Sequence, residues 1–295
     1  MRKYNLKIDD KNITAVDFNG LLDQFKFISN ELKEKKFRTA LEQEKDKDTW
    51  WGSHSLEETI QGMFYGFESS TEYFLDNLER TKYTSDKDDG LFMSENGVVY
   101  DMGSVISGIP ECCLDFGLPN PAPYIKIMVD ITFPCGFSER QIQNRGLAIL
   151  SLLQTLIISG CIVDLYMFEL NIQSDKTIMY TNKFDATCLS IADLAFLCSP
   201  EYFRRIGFIT AECVRNKCSE YGCGRSDLPQ FVIDKIKKDK IFYIGGGYTD
   251  NELSGKLHSI EEAIQCLLDK FNKFCIENKL NLSFDLKEKS NGSNL

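Results

Sequence analysis

A mixed α/β fold is expected from three observations. A strand, a helix and a strand follow one another between Tyr124 and Ile172, three capping boxes mark helix starts, and a short alternating apolar stretch lies near the end of the chain. With 295 residues, 43% of them hydrophobic and 12% aromatic, the chain can fill a sizeable core, which excludes a disordered class.

Tyr124 to Phe133 (YIKIMVDITF) reads as a strand, and Ser138-Glu139-Arg140-Gln141 is a capping box opening a helix that ends near Gly160. Cys161 to Ile172 reads as the next strand, so the unit is the usual crossover of a parallel pair. Beyond Gly146 the helix is apolar around most of its circumference, which predicts packing on more than one side. Ser199-Pro200 supplies an N-cap with proline at the first helical position, and a helix should run through Phe203, Ile206 and Ile209. Lys240 to Ile244 is a short strand. Ser259-Ile260-Glu261-Glu262 is a capping box before an amphipathic helix carrying Ala263, Ile264, Leu267, Leu268 and Phe271. Leu280, Leu282, Phe284 and Leu286 alternate as a final strand, and the polar tail Lys287 to Leu295 should fray.

The first hundred residues have a different texture. Leu21, Leu22, Phe25, Ile28 and Leu32 follow helical spacing, and Lys33 to Asp48 is so charged that it reads as a solvated helix or an exposed arm. Ser55-Leu56-Glu57-Glu58 is another capping box, and a further helix is expected around Thr71 to Arg80 before the polar loop Thr84 to Gly90. The expected organisation is a helix-rich N-terminal arm or interaction region, 1–100, followed by an α/β body, 101–295.

Charge and composition narrow the function classes. Forty-four acidic against 34 basic residues give a formal net charge of -10, which repels a phosphate backbone, so direct nucleic-acid binding is disfavoured and a basic partner fits better. The longest apolar stretch, Leu147 to Ile158, is interrupted by Ser151, Gln154 and Thr155 and is too short to span a bilayer. Met1-Arg2-Lys3-Tyr4-Asn5-Leu6-Lys7 has charge but no apolar run of a secretory signal, so a cytoplasmic location is expected. Eleven scattered cysteines then read as free, mostly buried thiols. Cys213, Cys218 and Cys223 recur every five residues, unlike the paired spacing of common zinc sites.

Several residues invite a chemical reading. Gly245-Gly246-Gly247 follows a strand, where backbone amides can cradle phosphate, yet no Gly-Lys-Ser/Thr ending or spaced dinucleotide fingerprint accompanies it. Asp130-Ile131-Thr132 ends a central strand and resembles the start of the metal-ion-dependent adhesion site of von Willebrand A-like domains, Asp-x-Ser-x-Ser. Pro134 stands at the third ligand position and offers no side-chain oxygen. The two histidines, His54 and His258, sit in no nucleophile motif, and Glu57-Glu58 and Glu261-Glu262 are explained by helix dipoles. No catalytic residue, cofactor site or metal site is therefore expected. Arg204-Arg205, as a phosphate or carboxylate grip, and Trp50-Trp51, as aromatic anchors, are the candidate partner-binding residues.

A series of strings in order resembles a protein family found in phage and bacterial genomes. They are Trp51-Gly52-Ser53 with Ser55-Leu56-Glu57-Glu58, Val99-Tyr100-Asp101-Met102-Gly103-Ser104-Val105, Gly108-Ile109-Pro110-Glu111-Cys112, Asn144-Arg145-Gly146 with Ala148-Ile149-Leu150, Leu194-Ala195-Phe196, and Ser199-Pro200 with Arg204-Arg205-Ile206-Gly207-Phe208. Chain length, the charged N-terminal region and this phage-like character are similar to phage-encoded anti-defence inhibitors of Gabija, a bacterial nuclease and helicase-like complex. That resemblance implies an oligomer that coats the defence complex in the host cytoplasm and blocks DNA engagement or cleavage without chemistry of its own. Two alternatives stay open: a von Willebrand A-like, metal-dependent binding module, and an enzyme acting on a nucleotide or nucleic acid through the triple-glycine loop.

Overall fold

The structure, a computed structural model, describes residues 1–8, 11–34, 52, 54–66, 83–85, 91–94, 99–100, 113–116, 123–133, 136–172, 177–215, 228–247, 249–280 and 282–286. It is a mixed α/β protein. Strands β1 (Arg2–Ile8) and β2 (Lys11–Asn19) come first, followed by helices α1 (Leu21–Glu34) and α2 (Leu56–Tyr65). Four short strands follow: β3 (Tyr83–Ser85), β4 (Leu91–Ser94), β5 (Val99–Tyr100) and β6 (Cys113–Phe116). The central unit is β7 (Tyr124–Asp130), α3 (Glu139–Ile158), β8 (Ile162–Ile172) and β9 (Thr177–Asp185). Next come α4 (Ile191–Leu197), α5 (Gly207–Arg215), α6 (Gln230–Lys238), β10 (Ile241–Ile244), α7 (Asn251–Ser254), α8 (Ile260–Asn278) and β11 (Phe284–Leu286).

Six strands form the main sheet in the order β1-β2-β9-β8-β7-β10. β8 lies parallel to β7, with Asp130 opposite Phe168, and β10 lies parallel to β7 on its other side, with Ile244 opposite Val129. The expected strand, helix and strand crossover is thus present. β9 returns antiparallel to β8, and the β1–β2 hairpin is added through a parallel β2–β9 pairing. This corrects the helical reading of the N-terminal region for residues 2–19. They are sheet strands, and removing residues 1–48 would strip two strands and α1 from the fold rather than a separable arm. Lys35 to Asp48 and Thr71 to Arg80 lie outside the described residues.

Strand alternation divides the interior in two. Ile125, Ile127, Val129, Val163, Leu165 and Met167 point into a large cluster shared with α1 to α5 and α8. Met128, Phe168, Leu170 and Ile241 point the other way, where Val232 of α6 joins them. Full burial of an aliphatic side chain contributes about 1.5–3 kcal/mol, so the first face dominates stability. α3 is buried around most of its surface, as its apolar circumference predicts.

Local signals hold in detail. Ser55 and Ser138 form complete capping boxes with Glu58 and Gln141. Ser259 caps α8 through the Glu262 amide, but its hydroxyl bonds Glu261. Ser199 accepts from the Tyr202 amide as expected, after which the helix widens into a π-turn over Tyr202–Ile206. The final strand shrinks to Phe284–Leu286 and pairs antiparallel with β3, outside the main sheet. Cys198, Cys266 and Cys275 are free and buried, Cys188 is free and exposed, and Cys161 and Cys213 are buried; Cys218 and Cys223 lie outside the described residues. Among the described residues no helix is long and apolar enough to cross a membrane.

Candidate functional site

The carboxyl ends of parallel strands are where α/β sheets gather polar chemistry, because the turns leaving them expose amides and side chains in one place. Here β7 ends on Asp130 and β10 runs beside it into Gly245-Gly246-Gly247, so two features far apart in sequence meet. The approach is very close. An ideal Cβ on Gly246 would lie 2.5 Å from the Thr132 carbonyl oxygen and 2.6 Å from its hydroxyl, and one on Gly245 would lie 2.6 Å from the Asp250 Cβ. Glycine is required because no side chain fits between the loop and the strand end.

Asp130 is 3% exposed. Its Oδ1 accepts from the Thr132 amide at 2.9 Å and the Thr132 hydroxyl at 2.6 Å. Its Oδ2 accepts from the Tyr243 hydroxyl at 2.8 Å and the Thr249 hydroxyl at 3.1 Å. Four donors thus converge on one carboxylate. Burial, and then the Asp130 charge, push the Tyr243 phenol well above its ordinary value, so it stays a neutral donor.

Arg145, from α3, closes the cluster from within. Its Nη2 donates to the carbonyls of Asp130 at 2.7 Å and Gly245 at 2.8 Å, and the guanidinium lies over the rings of Phe133 and Phe203 at 5.0 and 5.4 Å. Burial lowers its pKa, while the carboxylates of Asp130 and Asp250 favour the cation. Asp250 in turn is bound by Lys270 at 2.5 Å. The cluster is charge-balanced and ties β7, α3, β10 and the glycine loop together. Asn144-Arg145-Gly146 showed no such role in the sequence, although a conspicuous glycine in an apolar helix signals close packing.

A second polar group lies near the start of α3. His54 Nδ1 meets Glu201 Oε1 at 2.8 Å, and an ideal Cβ on Gly52 (φ 96°) would fall 2.6 Å from the Glu201 side chain. The Glu201 hydrogen bond raises the His54 pKa. Burial, then Glu201, raises that of Glu139. Glu201 was not legible as a partner because nothing in the sequence joins residues 54 and 201.

The other expected residues fall as follows. Arg204 and Arg205 are each 1% exposed and lie inside the protein, Arg204 donating to the Phe137 carbonyl. The π-turn directs both inward, so they form no open grip for a partner. Trp50, Trp51 and Pro134 lie outside the described residues. The phosphate-cradle reading of the triple glycine meets occupied amides: Gly246 donates to the Thr249 hydroxyl at 2.7 Å and Gly247 to the Thr132 carbonyl at 2.9 Å. The helix that follows, α7, is only four residues long. Among the described residues no group of three or more His, Cys, Asp or Glu converges as a metal site.

What fold and site define is a mixed α/β protein whose parallel strand ends are closed by a hydroxyl-bound carboxylate under a glycine loop. The chain belongs to the family described as a domain of unknown function, DUF7192, which it matches over residues 4–270. No curated protein and no solved structure matches it.

Proposed function

We propose that this chain works by binding another macromolecule rather than by catalysis. The observation that supports this reading most is the use made of Asp130. At the position where such folds often place reactive groups, the carboxylate is saturated by four donors and backed by Arg145, an arrangement that fixes a loop instead of moving a proton. The partner follows from the resemblance of the chain to phage anti-defence proteins. It is a bacterial nuclease and helicase-like defence complex of the Gabija type, blocked sterically in the host cytoplasm by an oligomer of this chain. The net charge of -10 suits a protein that competes with DNA for a basic surface. Expression in cells carrying Gabija is expected to let a sensitive phage plate; continued restriction by cells holding abundant soluble protein would remove that target.

A second reading is favoured by one observation. The Thr249 hydroxyl, from a separate loop, joins Asp130 and Thr132, giving three oxygen-bearing side chains of the kind a divalent cation takes in a von Willebrand A-like binding module. The two readings part on chelation. EDTA is expected to leave both the thermal midpoint and partner binding unchanged, and Thr249→Val to keep binding. Chelator-sensitive binding restored by magnesium and lost in Thr249→Val would replace the first mode with the second.

A further inference from the structure

The face of the main sheet that carries α6 holds a trough. Its volume is about 730 Å³, within the range of about 300–1,000 Å³ typical of small-molecule sites. The floor is apolar: Met128 of β7, Phe168 of β8 and Met179 of β9 line it, and Phe231, Val232 and Ile236 of α6 form one wall. The opposite wall is the β1–β2 hairpin, through Arg2, Tyr4, Leu6 and Asp17. Methionine and phenylalanine floors accept varied apolar shapes because thioethers are polarisable and adaptable.

The rim is polar and its charge is uneven. Four basic side chains, Arg2, Lys126, Lys183 and Lys235, line the trough against two acidic ones, Asp17 and Asp239. Lys183 is held by Asp164 at 2.6 Å and Lys235 by Asp239 at 2.8 Å. Lys126 makes no ion pair with a described residue; its ammonium lies 5.7 Å from the centre of the Tyr124 ring. The cross-strand register places Lys126 opposite Asp164, whose carboxylate is already engaged by Lys183, Tyr124 and Tyr166. A cation held by an aromatic face at the edge of an apolar trough can meet an anionic head group.

We propose that this trough binds a small amphipathic acid, a long apolar body ending in one carboxylate. The body lies along Met128, Phe168 and Met179 beneath α6, and the carboxylate meets Lys126. The reading is independent of the macromolecular partner, since the trough is lined by no residue of the Asp130 cluster and by none assigned to that partner.

The test uses the full-length chain and 8-anilinonaphthalene-1-sulfonate, an aromatic anion that brightens in apolar sites, with dodecanoate, dodecanol and dodecylamine as competitors below their micellar concentrations. Dodecanoate is expected to displace the dye at least tenfold more strongly than either competitor. Lys126→Glu is expected to weaken dodecanoate at least tenfold while circular dichroism and the thermal midpoint stay unchanged. Met179→Trp, which fills the floor, should abolish binding of dye and acid alike. Equal displacement by the alcohol and the acid, undiminished affinity in Lys126→Glu, or no saturable dye binding by the folded wild-type chain would overturn the proposal. Should Lys126→Glu perturb the fold, Lys126→Gln supplies the same comparison without reversing the charge.

Discussion

Asp130→Ala is expected to lower folding stability by about 3–5 kcal/mol, the cost of breaking a buried charged network from one side. The carboxylate accepts from Thr132, Tyr243 and Thr249, so its loss strands hydroxyls in a site that is 3% exposed at Asp130. It also removes a compensating charge near Arg145, whose side chain is 1% exposed and whose Nε and Nη1 make no hydrogen bond. Urea denaturation followed by tryptophan fluorescence and circular dichroism measures the difference. Asp130→Asn should cost less, because an amide oxygen still accepts from the hydroxyls, and pairing it with Arg145→Met should recover part of the loss by removing the buried cation as well. An unchanged urea midpoint in Asp130→Ala would show that the cluster does not hold the strand ends together.

Gly146→Ala is expected to destabilise by about 2–3 kcal/mol, as overpacking of a tight core does. Alanine is the better helix former by about 1 kcal/mol, so propensity alone would stabilise α3. The geometry reverses that sign. A Cβ at Gly146 would lie 1.9 Å from the Cys198 carbonyl oxygen, and the obstacle is backbone that follows α4 rather than a flexible side chain. Gly136→Ala is the control, because a Cβ there meets nothing within 4 Å. Stabilisation of both variants would mean that α3 does not approach the turn after α4 this closely.

Much of the architecture was legible because its signals are local. The boxes at Ser55 and Ser138, the cap at Ser199 and the alternation of β7 and β8 act within a few residues, and the structure keeps all of them. The β1–β2 hairpin was missed because Arg2 to Asn19 mixes charge with scattered apolar residues, and its strand character comes from pairing with β9, more than 150 residues away. The candidate site was half legible. Asp130 and the triple glycine each stood out, but their meeting depends on β10 lining up beside β7, a long-range choice that no local pattern encodes. Arg145, Tyr243 and Thr249 gave no separate signal, because each acts through a contact with Asp130 or its neighbouring backbone. Arg204 and Arg205 misled for the opposite reason. A basic pair usually faces water, whereas the π-turn carries these two inside.

Binding and catalysis separate most directly in stoichiometry. A blocking protein is consumed one interface at a time, and a stable interface of about 1,200–2,000 Å² or more leaves little free inhibitor while target remains. Increasing amounts of the full-length chain, mixed with a fixed high concentration of purified Gabija-type nuclease complex, are therefore expected to remove DNA cleavage linearly, with a break at a small integer ratio. Inactivation of many complexes by each molecule, persisting after the chain is removed, would contradict the binding reading and point to an enzyme, and undiminished cleavage at every ratio would contradict the choice of target.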